Sequence, residues 1–445
     1  MNTGVGVDLG DILGDLTASS ELASRVPVST ATSVQAPAIV AKAVAKAAAS
    51  SETASSGSAP SAPISASQLI GAMLDFGPGI SDLVFSPFRP PQVEMQGELV
   101  PVIVDGLSLL KPADTEWLAR ELSANNEVAT AGLKTSGSCD LSYTIPGRSR
   151  FRVNIFRQRG TYAIVMRVIA SKIPSLADLK LPSVVGETAA LKNGLVLVTG
   201  PTGSGKSSTL AAIINLINET RAEHVLTIED PVEFMHPHKK ATVHQRELHS
   251  DTPTFALALR SALRQAPKVI LVGEMRDRET IETALTAAET GHLVFSTLHT
   301  IDASKTVDRI IGAFDAGDQQ VIRTRLAASF RFFISQRLIQ TQDGGRQAVL
   351  EVLKSTLRTR EYMEEGSAQG KSLLDAMRDG EIDGMQHFDG ELEKLVRSSR
   401  ISVATALLNA TNPSNFRLQI SDLTAAGGVK GGGGKDADLS ELIER

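Results

Sequence analysis

Cysteine is nearly absent from this chain of 445 residues; Cys139 is the only one. A single thiol excludes an intramolecular disulfide and any zinc site built from several cysteines. Aromatic residues are scarce, with one Trp (Trp117) and three Tyr, which argues against stacking platforms for single-stranded bases. A basic excess is missing too. The formal net charge is −5, the wrong sign for a surface that wraps nucleic acid. No apolar run approaches the length of a membrane span. The N-terminus lacks the basic-then-apolar pattern of a secretory signal. Together these absences lead to the expectation of a cytoplasmic protein with no nucleic-acid partner. The apolar share of 42% is ordinary, so folded parts can bury real cores, and the length suggests two to three domains.

Composition divides the chain. Residues 1–64 are dominated by Ala, Ser, Thr and Pro. Such a segment buries too little apolar surface to offset its ordering entropy and is expected to be disordered. From 65 to 170, short β-like runs accompany two helix-like stretches, Ser67–Leu74 and Ala113–Asn125, giving a small α+β domain. Residues 171–184 carry Pro174 and Pro182 without a strong period and read as a linker. From 185 to 425 strand and helix patterns alternate. The runs Leu195–Thr199, His224–Ile228, Val269–Val272 and His292–Ser296 are short and mostly apolar, as expected for a parallel sheet covered on both faces. Beyond about Ala303 the pattern predicts mainly helix. Residues 426–445 form a glycine-rich tether and tail, also expected to be disordered.

The second region opens with chemistry. Residues Gly200, Pro201, Thr202, Gly203, Ser204, Gly205, Lys206 and Ser207 spell a P-loop, directly after an apolar run and directly before helix-forming residues that begin at Ser208. The glycines let backbone N–H groups curl toward phosphates. Lys206 adds a point charge, and Ser207 supplies a hydroxyl suited to Mg²⁺. A strand before the loop and a helix after it make nucleoside triphosphate binding the reading.

Three further blocks lie downstream. In Thr227–Phe234, the carboxylates of Glu229, Asp230 and Glu233 crowd a predicted strand end, where α/β sheets bind ligands and where acidic groups can hold Mg²⁺ or its waters. In Val269–Asp277, an apolar strand leads to Gly273 and Glu274. Glu274 is the candidate general base or water-orienting group; an ordinary ion pair with Arg276 is the competing reading. In Thr290–Thr300, His292 and His299 bracket an apolar strand, too far apart to share a metal. They either report on phosphate or a neighbouring subunit, or are structural. The first region adds a fourth feature, a strand rich in arginine from Arg148 to Gly160 followed by Tyr162–Val168. Alternation puts Arg150 and Arg152 on one face. Guanidinium groups suit a transferring phosphoryl group and can supply roughly 10³–10⁵ in rate; a plain basic surface strand is the alternative.

In this order the blocks resemble the type II/IV secretion ATPases, and most closely the type IV pilus retraction ATPases, the PilT/PilU group, over residues 66–423. The specific stretches are Gly200–Thr209, Thr227–Phe234, His244–Glu247, Ala262–Asp277 and Ala288–Thr300. The resemblance implies a RecA-like ATPase domain preceded by a PAS-like domain. It implies ATP and Mg²⁺ as cofactors, Glu274 as catalytic, and His292 and His299 as a histidine box. The family's arginine pair falls on Arg152 and Arg167. It further implies a homo-hexamer working on an inner-membrane pilus platform protein. The four-cysteine insert of assembly ATPases is missing, which favours retraction. Arg358–Glu365 matches the retraction motif imperfectly: Glu364 stands where its second arginine falls. Leu263–Pro267 and Phe416–Ile420 look more like the accessory, PilU-like group, so a related retraction ATPase is a further candidate partner. A nucleic-acid translocase and a non-hydrolysing nucleotide-gated scaffold are the competing classes.

Overall fold

The computed structural model describes residues 64–104, 107–124, 126–169, 172–366 and 372–422. The low-complexity extension and the glycine-rich tail lie outside the described residues. Two sheets organise the rest. The first has six antiparallel strands in the order β3-β2-β1-β6-β5-β4. These are β1 (Ile80–Phe85), β2 (Gln92–Met95), β3 (Glu98–Pro101), β4 (Ser138–Ile145), β5 (Ser149–Gln158) and β6 (Thr161–Ile169). Alternation along β5 buries Phe151, Val153 and Ile155 while the residues between them face outward, the period of two that a half-buried sheet requires. Helices α1 (Ala66–Leu74), α2 (Pro112–Ser123) and α3 (Glu127–Thr135) cover the apolar face. The sequence pattern anticipates α2 but not α3, whose apolar positions are thinned by threonine, glycine and alanine.

The second sheet has seven strands in the order β13-β12-β7-β11-β10-β8-β9. Its centre is β7 (Gly194–Thr199), β11 (Leu293–Leu298), β10 (Val269–Val272) and β8 (His224–Glu229), all parallel neighbours. Every residue of β7, β10 and β11 is buried, because one apolar cluster covers each face. The first of these clusters takes residues from α5 (Phe255–Ala262), α6 (Arg278–Glu289), α7 (Ala303–Ile311) and α8 (Gln319–Ser329), the other from α4 (Lys206–Thr220). The stretch expected as a linker is not featureless, since Leu176 and Leu181 pack against the second cluster.

The chain beyond Ala303 is mainly helical, as expected, but it also holds two strands that the sequence pattern does not anticipate. Strands β12 (Phe330–Gln340) and β13 (Arg346–Lys354) form an antiparallel hairpin, and β12 adds to the sheet in parallel beside β7. Arg331, Arg337 and Gln336 interrupt its apolar run, which hides a strand whose polar residues have buried or half-buried partners. The far edge, β9 (Thr242–Glu247), is likewise a strand of polar residues. Helices follow in the C-terminal part: α9 (Leu357–Glu365), α10 (Leu373–Asp379), α11 (Phe388–Arg397), α12 (Val403–Asn409) and α13 (Pro413–Gln419). The last three enclose a small core with Ile339 and Val349 of the hairpin.

Candidate nucleotide site between the two sheets

Parallel registry brings the carboxyl ends of four strands to one edge. Thr199 of β7 pairs with Leu298 of β11, and Val272 of β10 pairs with Ser296 and with Ile228 of β8. The residues just beyond these ends therefore share one rim: the glycine-rich loop, His299, Glu274 and Glu229. A cavity of about 630 Å³ opens there. Its lining includes Thr202, Gly203, Gly205, Lys206, Ser207, Ser208, Glu229, Glu233, Glu274 and His299, together with Arg152 and Arg167 of the first sheet.

The loop is shaped for a group it does not itself supply. Lys206 is 8% exposed, and its Nζ donates to the carbonyls of Gly200 at 2.8 Å and Pro201 at 3.0 Å. Burial pulls the ammonium below the usual lysine range, against the opposing pull of Glu274. A buried cation on neutral carbonyls favours a nearby anion. Gly205 caps α4 with φ of 91° and Gly203 has φ of 80°, both in the left-handed region that favours glycine. A Cβ on Gly200 would stand 2.3 Å from the Gln336 carbonyl. Among the described residues buried Ser204 Oγ has no hydrogen-bond partner, and α4 presents its N-terminus to the loop, a ready anion site. These residues fit a nucleotide phosphate chain.

Glu274 and His299 complete the rim. Glu274 is held through Oε2 by Arg276 Nε at 2.6 Å, so the strand-end ion pair weighed from sequence is formed, but on the cavity wall. His299 lies between the loop and the glutamate, with Nδ1 3.5 Å from Lys206 Nζ and Nε2 3.7 Å from Glu274 Oε2. Burial first, then the Lys206 charge, hold its imidazole below the ordinary range. A neutral ring in that position accepts at Nδ1 and carries its proton on Nε2, toward Glu274. His292 is not brought to this site. It precedes β11 at the opposite edge of the sheet, where Nδ1 lies 3.0 Å from the Ala287 carbonyl. Six strand residues separate the two rings, roughly 20 Å of extended chain.

The acidic segment is ordered by its neighbours. Glu229 Oε1 accepts from Thr227 Oγ1 at 2.6 Å and Gln245 Nε2 at 3.0 Å. Burial nevertheless pushes its carboxyl up. Glu233 reaches the cavity wall. Among the described residues no group of three or more His, Cys, Asp or Glu side chains is arranged to hold a metal ion by itself. Ser207, which lines the cavity, carries a hydroxyl of the kind that can bind Mg²⁺ beside phosphates.

Arg152 and Arg167 stand directly opposite each other across β5 and β6. Like charges in that arrangement repel. Asp82 of β1 relieves Arg167, whose Nε donates to its Oδ1 at 3.0 Å. Arg152 has no ion pair among the described residues. Arg150, the other arginine on that face, is bound to Glu247 of β9 and does not line the cavity.

Sequence reasoning missed Gln336. Its Nε2 donates to the Ser204 carbonyl at 2.6 Å and its Oε1 accepts from Thr209 Oγ1 at 2.8 Å. It ties β12 to both the loop and the first turns of α4. Thr297, which donates to the Gly273 carbonyl at 2.6 Å, was missed for the same reason: only the strand order shows what these side chains face.

A glycine-rich loop between a buried strand and a helix, a buried lysine and a strand-end glutamate define a P-loop nucleotide-binding ATPase. Comparison with known proteins narrows the class. The type II/IV secretion system protein family matches residues 122–429. A twitching motility protein of Neisseria gonorrhoeae is 51% identical over 278 residues, 62% of this chain and 74% of that one. The type IV pilus retractation ATPase PilT of Pseudomonas aeruginosa is 43% identical over 338 residues, 76% of this chain and 96% of that one. The type IV pilus ATPase PilU of the same organism is 37% identical over 368 residues, 82% and 92%. A crystal structure of the pilus retraction motor PilT with bound ADP superposes with a TM-score of 0.71 at 39% identity, covering 79% of this chain and 99% of that one. The chain belongs to the type II/IV secretion ATPase family and, within it, to the type IV pilus retraction ATPases.

Proposed function

We propose that this chain is an ATP-hydrolysing motor that withdraws type IV pili and so powers twitching motility. The observation that carries the reading is one cavity that joins the P-loop, Glu274 and His299 to two arginines from a different sheet. Closer identity to PilT than to PilU favours the principal over the accessory motor.

The roles follow from position. Residues 65–170 and 185–425 act as two domains that close on the site. The N–H groups of Gly200 and of Thr202 to Ser208 and the Lys206 ammonium would hold the phosphates, and Ser207 with Glu229 and Glu233 would hold Mg²⁺ or its waters. When bound, ATP and Mg²⁺ supply the scissile phosphoanhydride and neutralise its charge. Glu274 orients the attacking water; Arg276 holds that carboxylate in place, and His299 stands beside it. Arg152 lends its charge to the transferring phosphoryl oxygens, and Arg167 supports it. His292, held by the Ala287 carbonyl at the other end of β11, takes no part in this chemistry within its own subunit. Opening and closing of the two parts converts turnover into movement. The working form is a homo-hexamer in the cytoplasm, peripheral to the inner membrane, that engages a pilus platform protein there. No described helix is long and apolar enough to cross a membrane.

The test is a deletion strain complemented with the wild-type chain or with Lys206→Ala. Surplus pili that do not withdraw, cured by the wild type alone, support retraction. Cells without pili would assign the chain to assembly.

A further inference from the structure

Arg150 lies two residues from Arg152 on the same face of β5, yet it points away from the cavity's chemistry. Its Nη2 donates to Glu247 Oε2 at the end of β9. The Arg150 side chain is half-buried and that of Glu247 buried, 19% and 6% exposed. Among the described residues this is the one ion pair that joins the six-stranded sheet to the seven-stranded sheet. Glu247 is itself fixed. Its Oε2 also accepts from Val232 N at 3.1 Å, inside the acidic segment that walls the cavity. Its own N–H donates to Asp251 Oδ2 at 2.8 Å.

We propose that Arg150 is a positioning residue for hydrolysis: its ion pair with Glu247 pins β5 to the acidic segment and thereby sets Arg152 and Arg167 at the phosphate end of the cavity. The strand is stiff over two residues, so an anchor at 150 fixes the height of 152, about 7 Å along. The register then fixes Arg167 opposite it. Among the described residues Arg152 has no ion-pair partner of its own to hold it. A displacement of about 1 Å at a reacting centre can lower the rate on the order of 10²-fold. The inference rests on the hydrolytic reading above and adds to it the contact that assembles the two halves of the site.

The experiment measures steady-state ATP turnover of the full chain carrying Arg150→Met, Arg152→Ala, both, or Arg150→Lys. Arg150→Met is expected to lower kcat by roughly 10- to 100-fold with KM within about threefold, a split that general loss of structure does not give. Added to Arg152→Ala it should lower kcat by less than about threefold more, because it acts through Arg152. Arg150→Lys, which keeps the charge, should recover part of the rate, and it carries the same double-variant test should Arg150→Met not fold. Normal kcat in Arg150→Met, or losses that multiply with Arg152→Ala, would overturn the proposal. A wild-type chain without turnover would instead overturn the hydrolytic reading itself.

Discussion

Gln336 gives the sharpest handle on how the loop is held. Its side chain is 3% exposed, and its two partners belong to Ser204 at 3% and Thr209 at 0%. Gln336→Leu keeps the volume roughly constant and removes both bonds. The Ser204 carbonyl then loses its side-chain donor and the Thr209 hydroxyl its acceptor. Each lost buried bond costs about 1–3 kcal/mol; the threonine can turn to a helix carbonyl, so the sum is about 2–5 kcal/mol. For a domain of this size about 1 kcal/mol shifts Tm by roughly 2–4 °C. A thermal melt of Gln336→Leu should therefore fall by about 5–15 °C. The loop that grips ground state and transition state alike would loosen, so KM for ATP should rise several-fold with kcat nearly kept. Gln336→Glu sharpens the test. It preserves the acceptor toward Thr209 but sets a carboxylate oxygen against the Ser204 carbonyl. A buried carboxyl raised above its ordinary range stabilises the fold when protonated and loses that contribution as pH rises. This variant should thus melt closer to wild type at pH 5 than at pH 8. A Gln336→Leu protein that melts within about 1 °C of wild type, with unchanged KM, would refute the account of the loop.

Two more predictions concern charge. Glu351 of β13 is 4% exposed and accepts from Ala303 N at 2.7 Å, at the start of α7. Burial pushes its carboxyl up to about 7, so the folded state holds a proton that the unfolded chain releases near pH 4.5. Its contribution is present below about pH 4.5 and lost as pH rises through 7, a swing of about 3 kcal/mol; Glu351→Gln, which keeps the acceptor, should gain stability over wild type at pH 8 but not at pH 4.5 in paired denaturant titrations. Ser207→Ala should raise the Mg²⁺ concentration needed for half-maximal turnover by about tenfold, roughly 1.4 kcal/mol, while binding of nucleotide in EDTA stays within about twofold of wild type.

The site was legible in the sequence where chemistry is local. A buried strand, a glycine turn and a helix are consecutive, so Gly200–Ser208 could be read directly, and only Gly273 separates Glu274 from its strand. The central strands were legible because parallel strands covered on both faces are continuous apolar runs. Polar strands were not. In β9 and β12, glutamine, arginine and histidine interrupt the pattern, and only their partners in the folded chain explain them. The histidine box illustrates the limit. Sequence places His292 and His299 symmetrically about a strand, but a strand has two ends, and only the carboxyl end meets the ligand. The opposition of Arg152 and Arg167 likewise depends on the register of β5 and β6, and the use of Arg150 on contact with β9. Residue spacing does not encode either one.

The central claim is that Glu274, on the rim between Lys206 and His299, drives hydrolysis at the loop. Phosphate release by Glu274→Ala, measured beside binding of a fluorescent ATP analogue, tests it most directly. The account predicts binding within a few-fold of wild type and turnover lower by roughly 10²-fold or more. Near-normal phosphate release from a protein that binds the analogue would contradict it.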